Sequence, residues 1–198
     1  EEIGRASFAM RSCVSAHMAL CQQTILQWGS EAQKQKYLPR LARGEMLGAF
    51  ATTEPNVGSD VASIETTAVR QDDHWVLNGS KMFITNGGVA GVVLVFAQTD
   101  KALKHRGLVC LAVEGDTPGF SSRDIHGKLG LRSANTAELT FEDCRVPVAN
   151  RIGEENGGFL YIMQNFVSER LALAANCVAI AALAYREAHH YTAARQAF

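Results

Sequence analysis

The spacing of apolar positions changes twice along the chain and divides it into three stretches. From Glu1 to about Gly44, Ile3, Phe8, Met10, Val14, His17, Met18, Cys21, Ile25 and Leu26 recur three and four residues apart, which predicts helix. Ser30-Glu31-Ala32-Gln33 has the form of a capping box, with a serine hydroxyl able to accept a backbone N–H and a glutamine able to reach back. A second helix therefore begins near Glu31. Pro39 is expected to end or kink it, and Gly44 marks its exit.

From about Met46 to Pro147 the period falls to two and turn residues come at short intervals. Asn78-Gly79, between Trp75-Val76-Leu77 and the stretch from Ser80 to Thr85, predicts a hairpin with a type I′ turn, since this pair tolerates two positive φ angles. Val92 to Ala97, Leu108 to Val113 and Ala137 to Phe141 read as further strands, and Thr117-Pro118-Gly119 as a turn. Strands without intervening helices predict an antiparallel barrel or sandwich rather than a doubly wound sheet. From Gly157 the helical period returns for close to forty residues. The fold class is thus α+β: a helical segment over 1–45, an antiparallel β-barrel domain over 46–155, and the first helix of a helical domain over 156–198.

That final helix carries the most suggestive acidic residue. Ile162, Phe166, Glu169, Leu173, Asn176 and Ile180 fall within one narrow face, so Glu169 sits on an apolar stripe. Its neighbours three and four residues away are Asn165, Phe166, Ala172 and Leu173, none of them cationic. A carboxylate in such a setting loses hydration, which disfavours its charged form and suits it to proton transfer near neutrality. Two readings remain open from spacing alone: a general base, or an ion pair with an Arg or Lys of another helix.

Composition narrows the field. Of 198 residues, 47% are hydrophobic and 20% charged, enough apolar material for a packed core. Nineteen Lys plus Arg against twenty Asp plus Glu leave a net charge of −1, so no global basic field draws nucleic acid or an anionic membrane. No membrane span is expected, because the most apolar run, Leu171 to Tyr185, is interrupted by Asn176 and stops at Arg186 and Glu187. Cys13, Cys21, Cys110, Cys144 and Cys177 are odd in number and never in a CxxC pair, which argues against a disulfide framework or a zinc site and for a reducing compartment. The opening Glu1-Glu2-Ile3-Gly4 has neither an initiator Met nor a signal-peptide pattern, so the chain is expected to be a fragment of a larger protein. No dinucleotide fingerprint, Walker loop, GxSxG elbow or metal-spaced cluster is present, and adjacent His189 and His190 cannot share a helix face.

Two longer motifs are more specific. Ala51-Thr52-Thr53-Glu54-Pro55-Asn56-Val57-Gly58-Ser59-Asp60, followed by Asn78-Gly79-Ser80-Lys81-Met82-Phe83-Ile84-Thr85-Asn86-Gly87-Gly88, closely resembles the paired signatures of the acyl-CoA dehydrogenase family. Gly29 to Lys34 with Tyr37-Leu38-Pro39, Gly127 to Ser133, Phe141 to Pro147, and Glu169-Arg170-Leu171 extend the resemblance over nearly the whole chain. It implies an N-terminal helical domain, a middle β-barrel and a C-terminal helical bundle, the first present only by its end and the last only by its opening helix.

The resemblance further implies FAD-dependent oxidation of an acyl-CoA thioester to the trans-2-enoyl thioester. A carboxylate removes the α proton while the β hydrogen leaves as hydride to the flavin. Carried over position by position, Phe50, Thr52 and Thr53 line the isoalloxazine, and Ser59 contacts flavin phosphate or the CoA moiety. Phe83, Ile84 and Thr85 lie against the flavin, with Phe83 shielding a face and Thr85 bonding near N5. Phe83 stands where many relatives have Trp, and Phe50 where they have Tyr, so each ring lacks a polar handle. Glu169 matches the base of the isovaleryl and long-chain branches, other branches carrying theirs in a C-terminal segment. Arg170 matches an arginine that positions base and substrate, and Phe166 lies along the acyl pocket. Arg195 and Phe198 belong to a segment that reaches the FAD of a neighbouring subunit. The implied partners are an acyl-CoA substrate, electron-transfer flavoprotein as acceptor, and further copies in a tetramer or dimer, in the bacterial cytoplasm or the mitochondrial matrix. An acyl-CoA oxidase, another flavoprotein on the same scaffold, or a non-catalytic binding protein are the alternatives.

Overall fold

A computed structural model describes residues 2–198. Among the described residues, five α-helices and seven strands follow in the order α1 (Glu2–Ala6), α2 (Phe8–Ser15), α3 (Gln23–Trp28), α4 (Glu31–Ala42), β1 (Gly48–Ala51), β2 (Thr67–Gln71), β3 (His74–Thr85), β4 (Val92–Gln98), β5 (Leu108–Glu114), β6 (Phe120–Asp124), β7 (Thr136–Pro147) and α5 (Gly158–Ala194). Between α2 and α3 the chain winds as a π-helix, Ala16–Gln22.

Helix starts follow local chemistry. The Ser7 hydroxyl accepts the Met10 N–H at 3.2 Å and starts α2. At α4 the capping box forms as expected: Ser30 Oγ accepts from Gln33 N, and Gln33 Oε1 accepts from Ser30 N at 2.8 Å. Gln33 also donates to Ala149 O and Arg151 O at 2.7 and 2.8 Å, which docks α4 on the segment leading into α5. Pro39 does not end the helix. It falls in the last turn, where a missing N–H costs a single bond, and α4 continues to Ala42 before Gly44 exits at φ +71°.

The sheet is curled into a half-barrel with the strand order β1-β4-β2-β3-β7-β6, and β5 pairs with β4. It is not wholly antiparallel: β1 runs parallel to β4 over Gly48–Ala51, and β2 meets β4 in parallel at Thr67–Gln98. The excursions between these strands supply the crossovers that parallel neighbours require. β4 and β5 are buried on both faces, which is why they read as continuous apolar runs. Leu94, Phe96, Leu108 and Cys110 pack toward the helices, while Val93, Val95, Val109 and Leu111 point into the concave core with Trp75, Leu139 and Phe141.

The expected Asn78-Gly79 turn is absent. The hairpin between β2 and β3 closes at Asp72-Asp73, with Asp72 at φ +50°, and Asn78-Gly79 lies within β3. There the register against β7 shifts between Leu77 and Gly79, a bulge. Gly79 adopts φ +144°, and a Cβ on it would stand 2.7 Å from Thr66 Cα and Oγ1. Gly79→Ala is therefore expected to destabilise the fold by about 1–3 kcal/mol through strain and overpacking, read as a lowered Tm.

α5 is one continuous helix, as its period predicts. By length and composition alone it is also apolar enough to cross a membrane, Asn176 notwithstanding. Only 11% of its most apolar stretch is buried. The buried residues Tyr161, Ile162 and Asn165 fix its N-terminal half on the sheet and on α3, where Asn165 donates to Thr24 Oγ1 at 2.8 Å.

Candidate functional site

The loop after β1 and α5 line a cleft of about 410 Å³ formed by Gly58, Ser59, Val61, Met163, Phe166, Glu169, Arg170 and Leu173. Four predicted site residues, Ser59, Phe166, Glu169 and Arg170, thus converge. Larger cavities of about 500 and 610 Å³, beside the 124–136 loop and between α4 and the 148–154 segment, contain none of the predicted site residues.

The loop wall is built by a tight reversal in which Glu54 N–H donates to Val57 O at 2.8 Å and Val57 N–H to Glu54 O at 3.2 Å. Beneath it lies an ion pair that the strand pattern does not reveal. Lys81, fully buried on β3, donates to Glu54 Oε1 at 2.8 Å and to Thr52 O at 3.2 Å. Glu54 also accepts from Glu65 N at 2.6 Å and Thr66 N at 2.9 Å. Burial pushes the Glu54 carboxyl up, but the Lys81 charge and these hydrogen bonds outweigh it and hold the group below the usual carboxylate range. Burial also pulls Lys81 down to about 8 despite Glu54. One residue along, Met82 N–H donates to Thr53 O at 2.9 Å. The two signature segments are therefore clamped side by side through both threonine carbonyls.

The threonines face different surroundings. Thr52 is buried and Thr53 half-buried, and Thr85, opposite Thr136 at the end of β3, is also half-buried. Phe50 packs in the core between Phe96, at 4.7 Å between ring centroids, and Phe166, at 6.5 Å, so its side chain joins β1 to α5 instead of lining the cleft. Ile84 is buried among the concave-core residues. Phe83 is 66% exposed at φ +61°, within a second register shift of β3. A bulky residue held in that conformation is strained, and strain of this kind collects at functional positions.

Glu169 is not stranded on its apolar stripe. Ser15 Oγ donates to its Oε2 at 2.6 Å, and Arg11 Nη2 stands 3.8 Å from its Oε1. The interhelical cation left open by the spacing is Arg11, on α2. Arg170 lies over the Phe166 ring, 5.7 Å from its centroid. Asn86, which the sequence reading passed over, is buried at φ +65° and donates to Cys13 O at 3.0 Å and Gly48 O at 3.2 Å, joining the end of β3 to α2 and β1. The sequence signal for it is the Asn86-Gly87-Gly88 run, residue types that tolerate a left-handed backbone. Arg195 and Phe198 take no part in the cleft: they follow the last residue of α5, Ala194, at 26 and 29 residues beyond Glu169, and Arg195 donates to Tyr191 Oη at 3.2 Å.

Family descriptions match nearly end to end: "Acyl-CoA dehydrogenase, N-terminal domain" over residues 1–45, the middle domain over 49–144, and the C-terminal domain over 156–198. The chain belongs to the acyl-CoA dehydrogenase family. The chain is 43% identical over 198 residues to a short-chain-specific acyl-CoA dehydrogenase of Clostridium acetobutylicum, covering all of this chain and 52% of that protein. Mitochondrial isovaleryl-CoA dehydrogenase of Pongo abelii is 44% identical over 200 residues, with 100% and 47% covered. The structure of butyryl-CoA dehydrogenase from Megasphaera elsdenii superposes with a TM-score of 0.95 at 40% identity, covering 100% of this chain and 52% of that one. The chain spans about half the length of the relatives it matches.

Proposed function

We propose that the protein carrying this chain is an FAD-dependent acyl-CoA dehydrogenase with Glu169 as its base. The observation that carries this reading is the cleft itself, in which Glu169 and Arg170 of α5 face Ser59, immediately after the clamped signature loop. The chain's surface fits a flavin. Among the described residues the Thr53 and Thr85 hydroxyls make no hydrogen bond, and Phe83, two residues before Thr85, offers an exposed ring. Such a set suits the polar edge and flat face of a heterocycle. Thr52, Thr53, Phe83 and Thr85 would hold it, with Phe50 and Ile84 acting from behind through the backbone.

FAD, when bound, supplies the two-electron acceptor for the β hydrogen. The rest is done by side chains. Glu169 takes the α proton at a carboxylate oxygen, so the C–H bonding pair passes into the forming double bond as the β hydrogen leaves with its own pair. Phe166 and Leu173 exclude water from the acyl chain, and Ser59 binds the polar end of the thioester. Arg170, stacked on Phe166, places positive charge in the wall where negative charge develops on the thioester oxygen.

The same reading divides the protein into helical (1–45), β (46–155) and helical-bundle (156–198) parts, working in the bacterial cytoplasm or the mitochondrial matrix. Electrons pass to an electron-transfer flavoprotein. Arg195 and Phe198, remote from their own cleft, serve a neighbouring subunit's FAD in a tetramer or dimer. Purified protein mixed anaerobically with a panel of acyl-CoA thioesters is expected to lose its flavin absorption and yield the 2-enoyl thioester. Protein that binds no flavin, or whose flavin no thioester bleaches, overturns the reading, and peroxide release in air assigns an oxidase instead.

A further inference from the structure

We propose that Ser15 and Arg11 of α2 are positioning residues for Glu169, fixing the aim of the base. The inference rests on the reading of Glu169 as base and adds the residues through which it is held. Arg11 and Ser15 are four residues apart on α2 and share a face. Each addresses a different carboxylate oxygen: the Ser15 hydroxyl bonds Oε2 at 2.6 Å, and Arg11 Nη2 lies 3.8 Å from Oε1. The first is a short, charge-assisted hydrogen bond, and the second is a Coulomb contact without one.

Arg11 is the more telling partner. Its side chain is 13% exposed, and Nη2 is buried with no hydrogen-bond partner among the described residues. Glu169 is the carboxylate facing it and supplies its counter-charge. The remaining groups near the carboxylate do not substitute. Arg170, on α5 itself, is stacked on Phe166, and Asp60, beside Ser59, accepts the Ser63 hydroxyl at 2.6 Å.

Location supports a role in aim. Ser15 is the last residue before the π-helix, whose wider turn re-aims the side chains around it, and such segments recur at functional sites. The same stretch is tied to the flavin-facing segments. Asn86, next to Thr85, bonds Cys13 O, and His17 Nδ1 accepts the Gly48 N–H at 3.0 Å, two residues before Phe50. A rigid path thus leads from Glu169 through Ser15 to both signature segments.

The test is the split between kcat and KM for flavin reduction by an acyl-CoA substrate in the FAD-loaded protein, with Glu169→Gln as reference. Each partner fixes a different carboxylate oxygen, so removing either lets the base turn away from the α proton while the substrate keeps its own contacts. Ser15→Ala and Arg11→Met are each expected to keep FAD and KM and to lower kcat about tenfold. Ser15→Thr, which keeps the hydroxyl, is expected to hold the wild-type kcat. Should Glu169→Gln abolish reduction while Ser15→Ala and Arg11→Met both leave kcat in place, the positioning role is overturned and the base stands. Reduction that survives Glu169→Gln removes the base itself, and the positioning role with it.

Discussion

Glu169→Gln is expected to leave FAD in place and to slow its reduction by an acyl-CoA thioester by about 10²–10⁴, the usual contribution of a positioned general base. The amide keeps the size of the side chain and can still accept the Ser15 hydroxyl bond, so packing of α5 on α2 is conserved. What it lacks is the negative charge and the ability to take a proton. Arg11, 3.8 Å away, loses its counter-ion, which adds a stability loss readable as a lower Tm. The decisive measurement is single-turnover flavin bleaching under anaerobic conditions, compared with substrate binding followed separately. Binding preserved with bleaching lost places the defect in the chemical step, whereas equal bleaching rates in variant and wild type would remove Glu169 from the reaction.

What the sequence disclosed depended on how locally each feature is determined. The capping box at Ser30 and the long α5 period involve residues within a turn or two of each other, and both appear as read. Asn78-Gly79 misled because glycine serves two purposes. It permits a tight turn, and it permits another backbone to come close, and here Thr66 approaches while β7 continues to pair past it. The actual hairpin turn, Asp72-Asp73, contains no glycine. Lys81 occupies a strand position that alternation leaves polar and solvent-facing, yet it is buried because Glu54, 27 residues earlier, folds over it. The site residues of the two signatures were legible as chemistry, since threonines, a serine and an acid on an apolar helix stand out. Their orientations were not. Whether Phe50 lines a cleft or fills a core depends on Phe96 and Phe166, and the partner of Glu169 comes from 154 residues away.

Lys81→Met is expected to be the most damaging single change outside the cleft. It removes the cation from a buried pair and leaves Glu54 with only its two backbone N–H donors, a loss of about 3–5 kcal/mol when one partner of such a pair is deleted. Against a typical total of about 5–15 kcal/mol this is a large fraction. It also frees the Thr52 carbonyl, so one of the two bonds holding the signature segments together is lost while Met82 N–H to Thr53 O remains. FAD retention should therefore fall along with Tm. The pH dependence carries a sign that separates this mechanism from simple loss of packing. In the wild type Glu54 is held below its ordinary 4.5, so its contribution is present above that value and is lost as pH falls through the depressed one. In Lys81→Met the opposing positive charge is gone and burial dominates, which makes the folded state bind the proton more readily than the unfolded chain. The stability gap between wild type and variant should accordingly narrow as pH falls, first through the variant's raised carboxyl above the ordinary 4.5 and then through the wild type's depressed one below it, measured by denaturant unfolding across pH. A gap that stays constant would mean that the lysine acts by filling space, and Lys81→Met, which nearly preserves that volume, should then cost little at any pH.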